Sequence, residues 1–199
     1  MFIVFEGIDG SGKSTQIFLL AKYLASLDKH AHILLTREPY KNREVRALLR
    51  QNESPELKKE TLTELFIRDR KEHISGMILP ALDKDIIVIS DRYKYATISY
   101  QAAQGQDMHN LVELQKYMPT PDFVFVIDTD VDTALKRMES DSRSKQKFEK
   151  SSFFQDKVRK NYLRLKELLP RENIIIIDGT KSVDEVFEQI KKNFDRIVI

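Results

Sequence analysis

The chain has 199 residues, 33 Lys and Arg against 31 Asp and Glu, a net charge of +2 and no cysteine, which fits a single domain over 1–199 and excludes disulfide scaffolds and zinc–thiolate sites. Balanced charge lacks the positive excess that counterion release from a nucleic-acid backbone exploits, so no nucleic-acid partner is expected. Apolar runs such as Phe123–Ile127 fall far short of the roughly 18 residues a membrane span needs, and the expectation is a cytoplasmic protein with no membrane partner and no targeting segment.

Short β-rich apolar runs alternate with segments of helical period, the pattern of an α/β protein whose parallel strands are buried on both faces. Phe2–Phe5 reads as the first strand. Ile17, Leu20, Ala21, Leu24 and Leu27 then recur at three- and four-residue steps and form one apolar helical face. Ile33–Leu35 is the second strand, followed by a helical trio Val45, Leu48 and Leu49 and a long helical pattern from Leu57 to Leu79 that Pro80 is expected to end. After a third strand at Ile86–Ile89, helices are predicted at Tyr95–Gln104 and Met108–Tyr117. Pro119 and Pro121 precede the fourth strand, Phe123–Ile127. From Glu139 to Ser152, Ser and charged residues crowd together with Phe148 as the only large apolar residue, which by itself reads as a solvated loop. Ile174–Ile177 is the fifth strand, and Val183, Val186, Phe187 and Ile190 mark the last helix.

Gly7-Ile8-Asp9-Gly10-Ser11-Gly12-Lys13-Ser14 matches G-x-x-x-x-G-K-[ST] and stands directly between a strand and an amphipathic helix. Three of the chain's six glycines lie in this stretch. The loop needs them because its backbone must turn consecutive N–H groups inward around phosphate oxygens, where the helix N-terminus adds partial positive charge. Lys13 is expected to reach the β- and γ-phosphates of a nucleoside triphosphate, Ser14 to complete the coordination of Mg²⁺, and Thr15 to add a phosphate contact.

Ile86–Ile89 runs on into Ser90-Asp91, an apolar strand ending in a carboxylate, as P-loop proteins arrange beside the metal. Strands also end in Asp for turn chemistry alone. Here Arg92, Tyr93, Thr97, Tyr100 and Gln101 follow, so a guanidinium fork, hydroxyls and rings gather beyond a strand C-terminus, where open α/β sheets bind ligands. Arg92 suits a second anionic group, because its planar donors match phosphate geometry. Neither an Asn-Lys-x-Asp nor an Asp-x-x-Gly motif stands where a GTPase carries it, and the length is short for an ATP-binding-cassette domain. A small kinase remains. His30 and His32 share a strand face but lack further ligands, and read as surface residues.

Four markers in order, Phe5-Glu6-Gly7-Ile8-Asp9-Gly10-Ser11-Gly12-Lys13-Ser14-Thr15-Gln16, Thr36-Arg37-Glu38-Pro39, Asp91-Arg92-Tyr93 and Pro121-Asp122-Phe123-Val124-Phe125-Val126-Ile127-Asp128, give the chain a resemblance to the thymidylate kinases over nearly its whole length. That resemblance implies a P-loop NTPase fold with a five-stranded parallel sheet of order 2-3-1-4-5 and helices on both faces. It further implies transfer of phosphate from ATP to thymidine monophosphate (dTMP), Mg²⁺, and a homodimer. Position by position, it gives Asp9 the acceptor's sugar hydroxyl and the reacting phosphates, Phe66 a stack on thymine, Arg70 a bond to the base carbonyl and Thr97 a base contact. Arg92 then holds the acceptor phosphate with Arg37 as a second clamp, Tyr100 lies against the deoxyribose, and Asp91 serves the metal. Without the resemblance, Phe66 reads as core and Arg70 as a solvated surface charge.

In the same light residues 138–152 become a mobile lid over ATP. Gly10 follows Asp9, so the P-loop supplies no arginine, and the catalytic cation must be Arg143, the lid's only arginine, or Arg137, Lys145 or Lys147. Pro39-Tyr40-Lys41 stands where bacterial relatives often carry glycines. The rival readings are a kinase for another nucleoside monophosphate or a deoxynucleoside, and a P-loop module that binds nucleotide without turnover.

Overall fold

The computed structural model describes residues 1–41, 59–138 and 152–198. The helical trio Val45, Leu48 and Leu49, and residues 139–151 with Arg143, Lys145 and Lys147, lie outside them.

Five strands, β1 (Phe2–Glu6), β2 (Ile33–Arg37), β3 (Ile87–Asp91), β4 (Phe123–Asp128) and β5 (Ile174–Asp178), form one parallel sheet of order β2-β3-β1-β4-β5, as the resemblance implies. Each strand runs past its apolar run by one or two residues, and all of these are polar: Glu6, Thr36 and Arg37, Ser90 and Asp91, Asp128, Asp178. The ladder pairs backbone groups and is indifferent to side-chain polarity, so it continues through them. Register then aligns Arg37 with Asp91, Asp91 with Phe5, and Asp128 with Asp178, collecting charge at the carboxyl edge. Ile86 is not in β3, because its N–H bonds Ala81 O at the end of the preceding helix.

Residues of β1 alternate between two cores. Phe2 and Val4 pack with α4 (Lys94–Ala103), α5 (Met108–Glu113) and α7 (Ser152–Leu168), whereas Ile3 and Phe5 pack with α1 (Lys13–Leu27) and α8 (Val183–Val198). At about 1.5–3 kcal/mol per fully buried large apolar side chain, these two cores fix the sheet beneath the cleft. Among the described residues no helix is long and apolar enough to cross a membrane.

Three element readings need correction. Helix α2 (Lys59–His73) passes through a π turn (Ile74–Ile78) into α3 (Leu79–Leu82), so Pro80 sits inside helical structure. The widened turn absorbs it: Leu79 N–H reaches back five residues to Ile74 O, and helical bonding resumes with Asp83 N–H to Leu79 O. Helix α5 stops at Glu113 instead of Tyr117 and gives way to turns. Helices α6 (Val131–Arg137) and α7 went unread. α6 is short and started by an Asp130 carboxylate that accepts Thr133 N–H at 2.8 Å. In α7 the buried stripe of Val158, Tyr162 and Leu165 follows immediately on the Ser- and charge-rich run that hid its start.

Candidate active site

Gly7, Gly10 and Gly12 hold φ of 139°, 80° and 97°, conformations that side chains strain to adopt. At Gly10 space also forbids a substituent, since an added Cβ would lie 2.5 Å from Ala134 O on α6. The P-loop therefore has no room for an arginine after Asp9. Lys13 is buried, and its Nζ donates to Gly7 O and Ile8 O, both at 2.9 Å. Burial, then Arg92, lower its pKa from 10.5 to about 8 against the opposing carboxylates of Asp9, Asp91 and Glu6. The lysine thus folds back on the carbonyls of its own loop, from where it can turn to a phosphate. Ser14 and Thr15 stand exposed on the first turn of α1 and line the cleft.

That cleft encloses about 610 Å³, and Lys13, Arg37, Arg92, Arg137 and Lys181 face Asp9, Glu38 and Asp91 across it. Arg92 bridges its two sides: Nη2 donates to Asp9 Oδ1 at 2.5 Å and to Tyr100 Oη at 3.1 Å, with the guanidinium 5.1 Å from the Tyr100 ring centroid. Burial works against this charge, but Tyr100 and Asp9 more than offset it, so Arg92 stays cationic. Its φ of 75° is one of two positive values among the described non-glycine residues, the other being Asp85. Strain of that kind gathers at ligand sites. Arg37 pairs with Asp91 at 2.8 Å, 67% of its side chain exposed.

Arg70 is not a solvated surface charge. It is 2% exposed and donates to Glu38 Oε2 through Nε at 2.8 Å, to Tyr93 O at 3.0 Å and Thr97 Oγ1 at 2.9 Å through Nη2, and to Gln115 Oε1 through Nη1. Glu38 also meets Nδ1 of the fully buried His73, whose Nε2 lies 2.7 Å from Thr36 Oγ1. Asp69 accepts the N–H groups of Tyr40 at 2.5 Å and Lys41 at 2.9 Å, and the Tyr40 ring stacks on His73 at 4.5 Å. The loop after β2 is therefore pinned to α2 by these contacts. Phe66 is half-buried on the same helix and belongs to neither core, although a ring on an amphipathic helix ordinarily reads as core.

Asp91 can serve a divalent cation. Oδ2 is taken by Arg37, whereas Oδ1 is buried without a hydrogen-bond partner among the described residues, an unmet acceptor that suits Mg²⁺ or its bound water. Arg137 lies beside the P-loop, donating to Ser11 O at 3.5 Å and Lys181 O at 3.2 Å. Arg143 falls outside the described residues. Sequence reasoning missed Glu38, Gln115, Lys181 and Glu6. Glu38 and Glu6 stand inside motifs already quoted, but Gln115 and Lys181 carry no local signal.

A family model described as Thymidylate kinase matches residues 5–190. A probable thymidylate kinase of Thermococcus kodakarensis is 37% identical over 199 residues, covering 96% of this chain and 95% of the relative. A thymidylate kinase of Thermosipho melanesiensis is 38% identical over 205 residues, covering 100% and 99%. The crystal structure of thymidylate kinase from Ehrlichia chaffeensis superimposes with a TM-score of 0.74 at 31% identity, covering 98% of both chains. Sequence and fold match over nearly the whole length, and the chain belongs to the thymidylate kinase family.

Proposed function

We propose that the protein is an ATP-dependent dTMP kinase, forming thymidine diphosphate (dTDP) and ADP. One observation carries the reading: the 2.5 Å contact between Asp9 of the P-loop and Arg92 beyond β3, which joins a triphosphate cradle to a second anion site. A P-loop that only bound nucleotide would need no such partner. ATP lies on the backbone of Gly7 to Thr15 with Lys13 on its β- and γ-phosphates. The dTMP phosphate lies on Arg92, with Arg37 as second clamp. Phe66 stacks on the base, Arg70 and Thr97 address its polar edge, and Tyr100 lies against the sugar.

Transfer between phosphates asks for alignment and for cations that stabilise charge on the equatorial oxygens, with little covalent work by the protein. No general base is required, because the acceptor oxygen is already anionic at neutral pH. Ser14 and Asp91 would hold Mg²⁺, which when bound screens the phosphates. The cation that meets the transferring group is Arg137 or, from the segment assigned as a lid, Arg143, Lys145 or Lys147. A homodimer working in the cytoplasm completes the reading, on the strength of the family. ADP release monitored with ATP and dTMP tests it: turnover in the wild type that disappears in a folded Lys13→Ala supports a kinase, and no turnover in the wild type overturns it.

A further inference from the structure

Phe2, Val4 and Glu6 occupy one face of β1, and the third position of this otherwise apolar row is a carboxylate with 0% exposure. Its Oε1 accepts the N–H groups of Tyr93 at 2.8 Å and Ala96 at 3.2 Å, at the start of α4, where no side chain of the N-cap Tyr93 does so. Oε2 accepts the Tyr162 hydroxyl of α7 at 2.9 Å. Glu6 thus precedes Gly7 in the chain and binds the residue that follows Arg92. Arg92 itself is tied to the same strand through its N–H to Phe5 O at 2.9 Å.

A hydrocarbon at position 6 would fill the core without desolvating a charge. What the carboxylate adds is a cap for α4, delivered from the strand that carries the P-loop. We propose that Glu6 is a positioning residue for phosphoryl transfer: its ionised carboxylate locks the start of α4 against the P-loop strand and so holds Arg92 aimed at the acceptor phosphate. This rests on the dTMP kinase reading.

The groups facing Glu6 are Lys13 from α1, Arg92 and Tyr93 N–H from the β3–α4 junction, Tyr95 and Tyr100 from α4, and Tyr162 from α7. Burial raises the carboxyl from 4.5 to about 7, and the Tyr162 hydroxyl, Arg92, Tyr93 N–H and Lys13 pull the other way. A protonated carboxyl has to present a hydrogen where it now only accepts, and Arg92 loses a negative neighbour. Acceptor affinity therefore falls as pH drops through neutrality, while the ATP side is little affected.

Equilibrium binding of dTMP by calorimetry, with steady-state KM values for dTMP and ATP, across about pH 5.5 to about 8.5 tests this in wild type, Glu6→Gln and Tyr162→Phe. The dTMP phosphate titrates near ~6 in every variant and supplies a common reference. Glu6→Gln keeps an acceptor for α4 but no charge. It is expected to weaken dTMP about 5- to 10-fold at pH ~8 with a much smaller change in the KM for ATP, since Glu6 is the least of the carboxylates acting on Lys13, and to leave only the substrate's own titration in dTMP binding. Tyr162→Phe removes a donor that favours the ionised form, so the protein's limb moves to higher pH. Wild-type affinity and pH profile in Glu6→Gln overturn the role of Glu6. If Glu6→Gln does not fold, the limb in Tyr162→Phe decides: displaced, it supports the role; stationary, it overturns it. A wild type that binds no dTMP at any pH instead overturns the kinase reading.

Discussion

Replacing Arg70 by methionine removes a guanidinium that is 2% exposed and paired with a Glu38 side chain that is 5% exposed, at 2.6 Å. Breaking one side of a buried ion pair costs about 3–5 kcal/mol, because the remaining charge is left in the interior. Gln115 Oε1 and Tyr93 O lose donors as well, at about 1–3 kcal/mol for each acceptor left unmet. These contributions share one network and do not add, so the expected loss is about 4 kcal/mol. For a chain of this size, where 1 kcal/mol moves Tm by about 2–4 °C, that amounts to roughly 8–16 °C by calorimetry. A second substitution separates charge from packing: Glu38→Gln in the Arg70→Met background removes the stranded carboxylate and is expected to recover at least ~1 kcal/mol. A single variant within about 1 kcal/mol of wild type, or a double variant less stable than Arg70→Met, refutes the description of Arg70 as a buried, charge-paired hub.

Arg92→Ala removes one charge-assisted contact to phosphate, about 1.5–3 kcal/mol, hence roughly 10- to 150-fold in kcat/KM for dTMP; the bridge it loses is to a largely exposed Asp9, so Tm should move little. A change in kcat/KM below about threefold contradicts the role. Phe66→Ala should raise the KM for dTMP and spare that for ATP, and an unaltered dTMP value returns Phe66 to a packing role. The Lys13 ammonium, lowered to about 8 by burial, should lose its proton in the free enzyme above that pH, so kcat/KM for ATP falls there; a profile flat to about pH 10 refutes it. The sign for stability is opposite, because the unfolded chain binds more protons between about 8 and 10.5, and the Lys13 contribution to stability grows with pH across that window.

The strands were legible because Phe2–Phe5 and its fellows are short, β-rich and flanked by turns, and the parallel sheet needs both faces apolar. Their polar last residues were not, since periodicity reads hydrophobicity while the ladder reads only backbone. Pro80 misled for a related reason: a π turn is invisible to a rule that assumes i→i−4 bonding. In the site, the glycine loop between β1 and α1 was legible because its motif is local in sequence. Arg70 and Glu38 are 32 positions apart, and no local pattern shows that a charged helix residue turns inward to meet a loop carboxylate. Glu6 was quoted and passed over, because its partners Tyr93, Ala96 and Tyr162 come from elements that only the fold brings together.

A direct test of the central claim is the acceptor panel: ADP production and diphosphate formation with ATP and, in turn, dTMP and the uridine, cytidine and guanosine monophosphates. The proposed roles of Phe66, Arg70, Thr97 and Tyr100 toward the base and sugar predict that dTMP has the highest kcat/KM, with dTDP as product. Equal turnover of all four acceptors, or none with dTMP, would contradict it.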